Sequence, residues 1–336
     1  MLVAALLLGT SAWAGPKKPA PTDEPAAEEV PADEDANEAE EAAPTGESHV
    51  LIGILGPEGE ALGALMGESL DGFGGLGVRP TGGAVDKAKV DVQYDKARED
   101  LTIRNDKAYP VTVVVDLGKA ENVRMSPGQP FETVLEAGQS TVVRFLPTGT
   151  KKPYYYYSWS WTSGSNKAVH KPKKDYLLPW PASMDFECTQ GFDGGYSHEH
   201  EHALDIVMPE GTPILAAREG RVISIVDGWG PGAPDRKYLD EANSVRILHD
   251  DGTYADYLHL RAGGMKVALG DEVKRGQPIA ESGNSGFSRR PHLHFAVKSA
   301  LDGWMTRTWP VRFDVNGESL ILRPSKWYPY TPKKSD

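Results

Sequence analysis

The chain has 336 residues and a formal net charge of −12, which gives room for two modest domains plus unstructured segments. The charge is local: eleven acidic and two basic side chains between residues 17 and 49 account for −9 and leave about −3 elsewhere. That balance leaves no basic surface of the kind nucleic acid requires, so no nucleic-acid partner is expected.

Residues 1–14 contain a short apolar run ending in Ala12-Trp13-Ala14, the h-region and cleavage site of a signal peptide, so the chain reads as exported. The run is too short to cross about 30 Å of hydrocarbon, and no transmembrane anchor is expected. Residues 15–49 are Pro, Ala, Glu and Asp with almost nothing apolar to bury, and read as a disordered acidic linker. Residues 50–85 form a Gly-rich low-complexity segment, weakly helical at most, with no strand leading into a phosphate-cradling loop. Over residues 86–166 the pattern turns to short alternating runs separated by turn signals such as Asn105-Asp106 and Pro127-Gly128, the spacing of a small antiparallel β-sandwich. In its last run, Tyr155, Tyr157, Trp159 and Trp161 share one face, which reads as core. Residues 175–325 continue as strands without long helical periodicity, so the fold class is mostly β. Cys188 is the only cysteine; it reads as a small core residue, and metal chemistry must rest on histidines and carboxylates.

Seven of the nine histidines lie between His198 and His294. They form three clusters: His198, His200 and His202 ahead of Asp205; His249 and His259; and the pair in Pro291-His-Leu-His-Phe295. Imidazole and carboxylate without thiolate suits zinc. The last cluster alternates like a strand, so His292 and His294 share a face. His249, at the end of a strand, reads as a surface residue.

In chain order, Gly211-Thr-Pro-Ile-Leu-Ala216, Tyr257-Leu-His-Leu260, Ser282-Gly-Asn-Ser-Gly286 and Pro291-His-Leu-His-Phe295 form a set that resembles the LytM and lysostaphin type of zinc endopeptidase. The resemblance spans roughly residues 175–300. It implies a β-rich peptidase domain of the duplicated hybrid motif type after the sandwich, and one Zn²⁺ bound by His294, Asp205 and one histidine upstream of that aspartate. It further implies that His259 and His292 are unliganded catalytic residues, His292 taking a proton from water and His259 stabilising the oxyanion. The implied substrate is the peptide part of peptidoglycan, and the implied location is the bacterial envelope, periplasmic or extracellular.

The sequence departs from the family at the first ligand, where the commoner His-x-x-x-Asp spacing falls on Glu201. A subset of the family sets its histidine after a Gly-Gly-Phe-Ser-like turn, and Gly194-Gly-Tyr-Ser-His198 is similar to it. His198 is therefore the expected ligand, with His200 next, and a turn or bulge near residues 199–202 is required. The literal H-E-x-x-H at His198, Glu199 and His202 needs a helix that these Gly-rich surroundings do not suggest. The loop before Pro291 carries Arg289-Arg290 where the family often has a small residue and glycine, which would set guanidinium groups at the site mouth. An inactive domain of the same fold that binds the wall or activates another hydrolase is the alternative function.

Overall fold

The computed structural model describes residues 51–55, 88–195 and 197–329, all within the compact unit Pro44–Asp336. The signal peptide, the acidic linker and residues 50 and 56–85 of the Gly-rich segment lie outside the described residues. Nearly all regular structure is strand, with one short 3-10 turn at Arg236–Tyr238 among the described residues.

Two four-stranded antiparallel sheets form the N-terminal part. One runs in the order Leu51–Leu55, Tyr154–Ser163, Val111–Glu121, Phe131–Leu135. The other runs Val90–Asp95, Asp100–Asn105, Ser140–Pro147, Val123–Ser126. Alternation along the strands from Val90 onward gives each sheet an apolar face, and the two faces meet in one core. Tyr155, Trp159 and Trp161 are buried there, Tyr157 packs against them, and the Phe145 and Tyr155 rings stack 4.7 Å apart. The start of the Gly-rich segment, read as weakly helical at most, is a strand instead: Leu51–Leu55 pairs with the aromatic strand, Leu55 opposite Tyr155. A central glycine lowers the local strand signal, and the ladder to the aromatic strand supplies what propensity lacks.

The C-terminal part is built on a nine-stranded sheet. Its central strands are Gly220–Val226, Ser244–Leu248, Tyr254–Leu258, His292–Ala300, Ala203–Val207 and Asp185–Gln190, in that spatial order. Leu293, Phe295 and Val297 face a large apolar core with Leu204, Ile206, Ile247, Tyr257 and Cys188. The Cys188 thiol is fully buried, and burial pushes its pKa up to about 12, so it is inert packing rather than a nucleophile.

Ile223 and Tyr254 belong to the core of the sandwich, and Arg246 reaches across to the Ser163 hydroxyl, Nη1 to Oγ 3.1 Å. Tyr254 pairs with Lys298, and on the same two strands Leu258 pairs with His294. Directly paired residues of an antiparallel ladder point to one side, and positions four apart share a face. The sandwich therefore covers the sheet face that carries His294, about 13 Å further along the strand.

His249 corrects the sequence reading. It follows the strand Ser244–Leu248 but is buried. Its Nδ1–H donates to the Glu219 carbonyl at 2.8 Å, and burial, the largest cause, lowers its pKa to about 4. The Tyr176 ring packs edge-on against it, and neighbouring Asp250 and Asp251 both pair with the buried Arg218 guanidinium.

Candidate metal centre and its flanking histidines

Strand register assembles most of the site. In the antiparallel pair of Ala203–Val207 with His292–Ala300, Asp205 stands opposite His294 and Val207 opposite His292. The Asp205 Oδ1 lies 3.0 Å from His294 Nδ1 and 3.7 Å from His292 Nε2.

The third group comes from the loop ahead of the strand. His198 N–H donates to the Gly194 carbonyl at 3.0 Å, and Glu201 N–H returns to the His198 carbonyl at 2.9 Å. His200, at the turn, takes a left-handed φ of +59°. This folded turn sets the parity that a straight strand would not. His198 is fully buried, with Nε2 3.3 Å from Asp205 Oδ1 and 3.2 Å from His294 Nδ1. The two neighbouring histidines go elsewhere: the His200 side chain is 93% exposed. His202 packs edge-on against Phe192, and its backbone N–H donates to Thr308 Oγ1 at 2.8 Å.

The ligand atoms of His198, Asp205 and His294 all lie within 4.8 Å of one another. The donor chemistry fits a divalent cation. His198 Nδ1–H donates to the Gly191 carbonyl at 3.1 Å, so its Nε2 presents a lone pair. That lone pair converges with an imidazole nitrogen and a carboxylate oxygen, a set suited to zinc. Without a metal the carboxylate governs the charges. Burial works to lower the His198 pKa, but Asp205 outweighs it and raises it. Burial works to raise the Asp205 pKa, but His198 and His294 hold it well below the usual carboxylate range.

Two further rings flank this cluster. His259 and His292 stand with ring centres 4.4 Å apart, and His259 lies 6.1 Å from His294 by the same measure. His259 Nδ1–H donates to the Ser285 carbonyl at 2.7 Å, and His292 Nδ1–H to the Arg290 carbonyl at 2.8 Å. Those acceptors fix both tautomers, leaving each Nε2 as a proton acceptor. Burial is the largest cause in both rings; it takes His259 down to about 3 and lowers His292, so both rest neutral. His259 thus presents a lone pair at rest, and an oxyanion-stabilising role requires that the ring first take up a proton. The Arg289 and Arg290 side chains are exposed.

Residues 199–305 match the model of peptidase family M23. This segment is a peptidase family M23 domain. It holds Asp205, His259, His292 and His294, and His198 lies one residue before it. The chain is 35% identical over 106 residues to glycyl-glycine endopeptidase ALE-1 of Staphylococcus capitis, covering 31% of this chain and 25% of that protein. It is 34% identical over 106 residues to lysostaphin of Staphylococcus simulans, with 31% and 18% covered. Against peptidoglycan DD-endopeptidase ShyA of Vibrio cholerae it is 35% identical over 124 residues, with 35% and 26% covered. The chain thus spans about a quarter or less of these relatives' lengths. The structure of the antimicrobial peptidase lysostaphin from Staphylococcus simulans aligns with a TM-score of 0.32 at 27% identity, covering 41% of this chain and 52% of that one.

The sequence reading missed Ser285, whose carbonyl accepts the His259 Nδ1–H, and Asn243, which bonds to Leu260 beside it. Their only sequence signal is position: Asn243 directly precedes the strand Ser244–Leu248, and Ser285 lies within the Gly-bounded Ser282-Gly-Asn-Ser-Gly286.

Proposed function

We propose that the chain is an exported zinc metalloendopeptidase that hydrolyses peptide bonds in peptidoglycan stem or cross-bridge peptides. The observation that carries this reading is the convergence of His198, Asp205 and His294 beside the neutral pair His259 and His292. His198, Asp205 and His294 would hold the zinc, which when bound supplies Lewis acidity and a water of lowered pKa.

The chain's own residues do the rest. His292, tethered at Nδ1 by Arg290, accepts the proton of the attacking water at Nε2 and can return it to the leaving amine. His259 accepts a hydrogen bond at Nε2 at rest, and a proton drawn from solvent as negative charge develops beside it would let that nitrogen donate to the oxygen that gains charge. The two ring centres are close enough for both to address one reacting carbonyl. The buried flanks keep both rings neutral near pH 7, with Nε2 unprotonated.

The test is mass analysis of the soluble fragments released from purified peptidoglycan. The active reading predicts peptides hydrolysed at one type of amide by the native chain and not by Asp205→Ala. Binding to peptidoglycan with no new amine or carboxyl ends would favour the inactive, wall-binding alternative.

A further inference from the structure

His259 leaves its strand in a strained conformation. The strand Tyr254–Leu258 ends one residue before it, and its φ of +63° lies in the left-handed region that residues with side chains avoid. Such a backbone persists only where its surroundings hold it.

Those surroundings form a buried polar lattice around Asn243 and Ser285. Asn243 is fully buried, and its amide spans two loops. Nδ2 donates to the carbonyls of Trp229 at 2.8 Å and Leu260 at 3.1 Å, while Oδ1 accepts from Trp229 N–H at 2.9 Å. The Asn243 carbonyl accepts from Leu260 N–H at 3.1 Å. Its own N–H donates to Ser285 Oγ at 3.0 Å, and that hydroxyl donates to the Leu260 carbonyl at 2.9 Å. The Asn243 side-chain amide therefore holds Leu260, next in the chain after His259, while its backbone N–H meets the hydroxyl of Ser285, whose carbonyl accepts the His259 Nδ1–H.

We propose that Asn243 is a positioning residue for His259, its side-chain amide setting through Leu260 the backbone that carries that ring toward the Ser285 carbonyl. The inference rests on the role given to His259 above. An amide is needed because both its hydrogens and its oxygen are used, and the side chain is fully buried. Asn243→Asp keeps the shape but sets carboxylate oxygen against two carbonyls that had received hydrogen bonds.

The test is a double-mutant cycle on a synthetic cross-linked stem peptide, with kcat, KM and bound zinc measured for Asn243→Asp, His259→Ala and the pair. The expected result for Asn243→Asp is a kcat lower by about 10-fold to 100-fold, with KM within about twofold of wild type and zinc unchanged. In the His259→Ala background the same substitution should have no further effect on kcat. An equal loss of kcat in both backgrounds, or a loss of zinc, would overturn the inference and make Asn243 a general scaffold residue. An unaltered kcat in His259→Ala alone would instead remove the role given to His259, and the positioning role with it. If thermal melting shows Asn243→Asp unfolded, Ser285→Ala carries the same cycle, since it removes the hydroxyl but keeps the carbonyl, and Ser285→Thr should restore activity.

Discussion

Asp205 and His294 face each other across two neighbouring strands, Oδ1 to Nδ1 3.0 Å, and His198 closes on both from the turn before the first strand. The strands set one distance by their ladder, while the loop sets the other two by a folded turn. The two sources of geometry make separable predictions.

The turn decides which of three alternating histidines counts. His198→Ala should release the metal, while His200→Ala and His202→Ala should keep it and retain activity within about threefold, as surface or packing changes do. Metal analysis of the three purified variants checks this. Loss confined to His202→Ala would contradict the geometry.

Much of this was legible from residue order. The His-Leu-His alternation places His292 and His294 on one side because a strand has a period of two, and Asp205 sits in a run that alternates likewise. The parity of His198 could not be read from a period, because the turn at His200 interrupts the strand pattern. The burial of His249 was invisible because the groups it meets, the Tyr176 ring and the Glu219 carbonyl, lie far from it in the chain. Asn243 was missed because a lone asparagine before a strand resembles any turn residue, and only the fold shows that its amide is saturated.

Buried His249 should make the fold acid-sensitive. The unfolded chain protonates this ring near its ordinary 6.5 and the folded chain only near 4. Between those values the unfolded state binds more protons, so this residue removes stability as pH falls from 6.5 toward 4, on the order of 1 kcal/mol per pH unit. His249→Asn, whose amide nitrogen can replace Nδ1–H toward Glu219, should flatten that decline in urea unfolding at pH 7, 6 and 5. Parallel pH curves for the two proteins would show that His249 does not titrate this way.

Gly232 should not tolerate a side chain. A Cβ there would fall 1.7 Å from the Gly286 carbonyl oxygen, beside the Ser285 that anchors His259. Gly232→Ala should lower stability by about 2 kcal/mol or more and reduce kcat. An unchanged melting temperature and kcat would mean that these loops are not packed as described.

Arg290 offers a handle on substrate choice. Its carbonyl holds His292 while its side chain is exposed, and a guanidinium can hold a carboxylate through two parallel hydrogen bonds. Arg290→Gln should raise KM for stem peptides with free carboxylates by about tenfold, and for amidated ones by less, with zinc unchanged. Equal KM changes for both peptides would assign the side chain to solvent.

The most direct measurement is zinc per polypeptide, by elemental analysis of the native chain and of His198→Ala, Asp205→Ala and His294→Ala, alongside His259→Ala and His292→Ala. One zinc per chain is expected in the native protein and in the last two variants, and almost none in the first three. Full zinc in the first three variants, or loss of zinc in the last two, would contradict the assignment of ligands and catalytic rings.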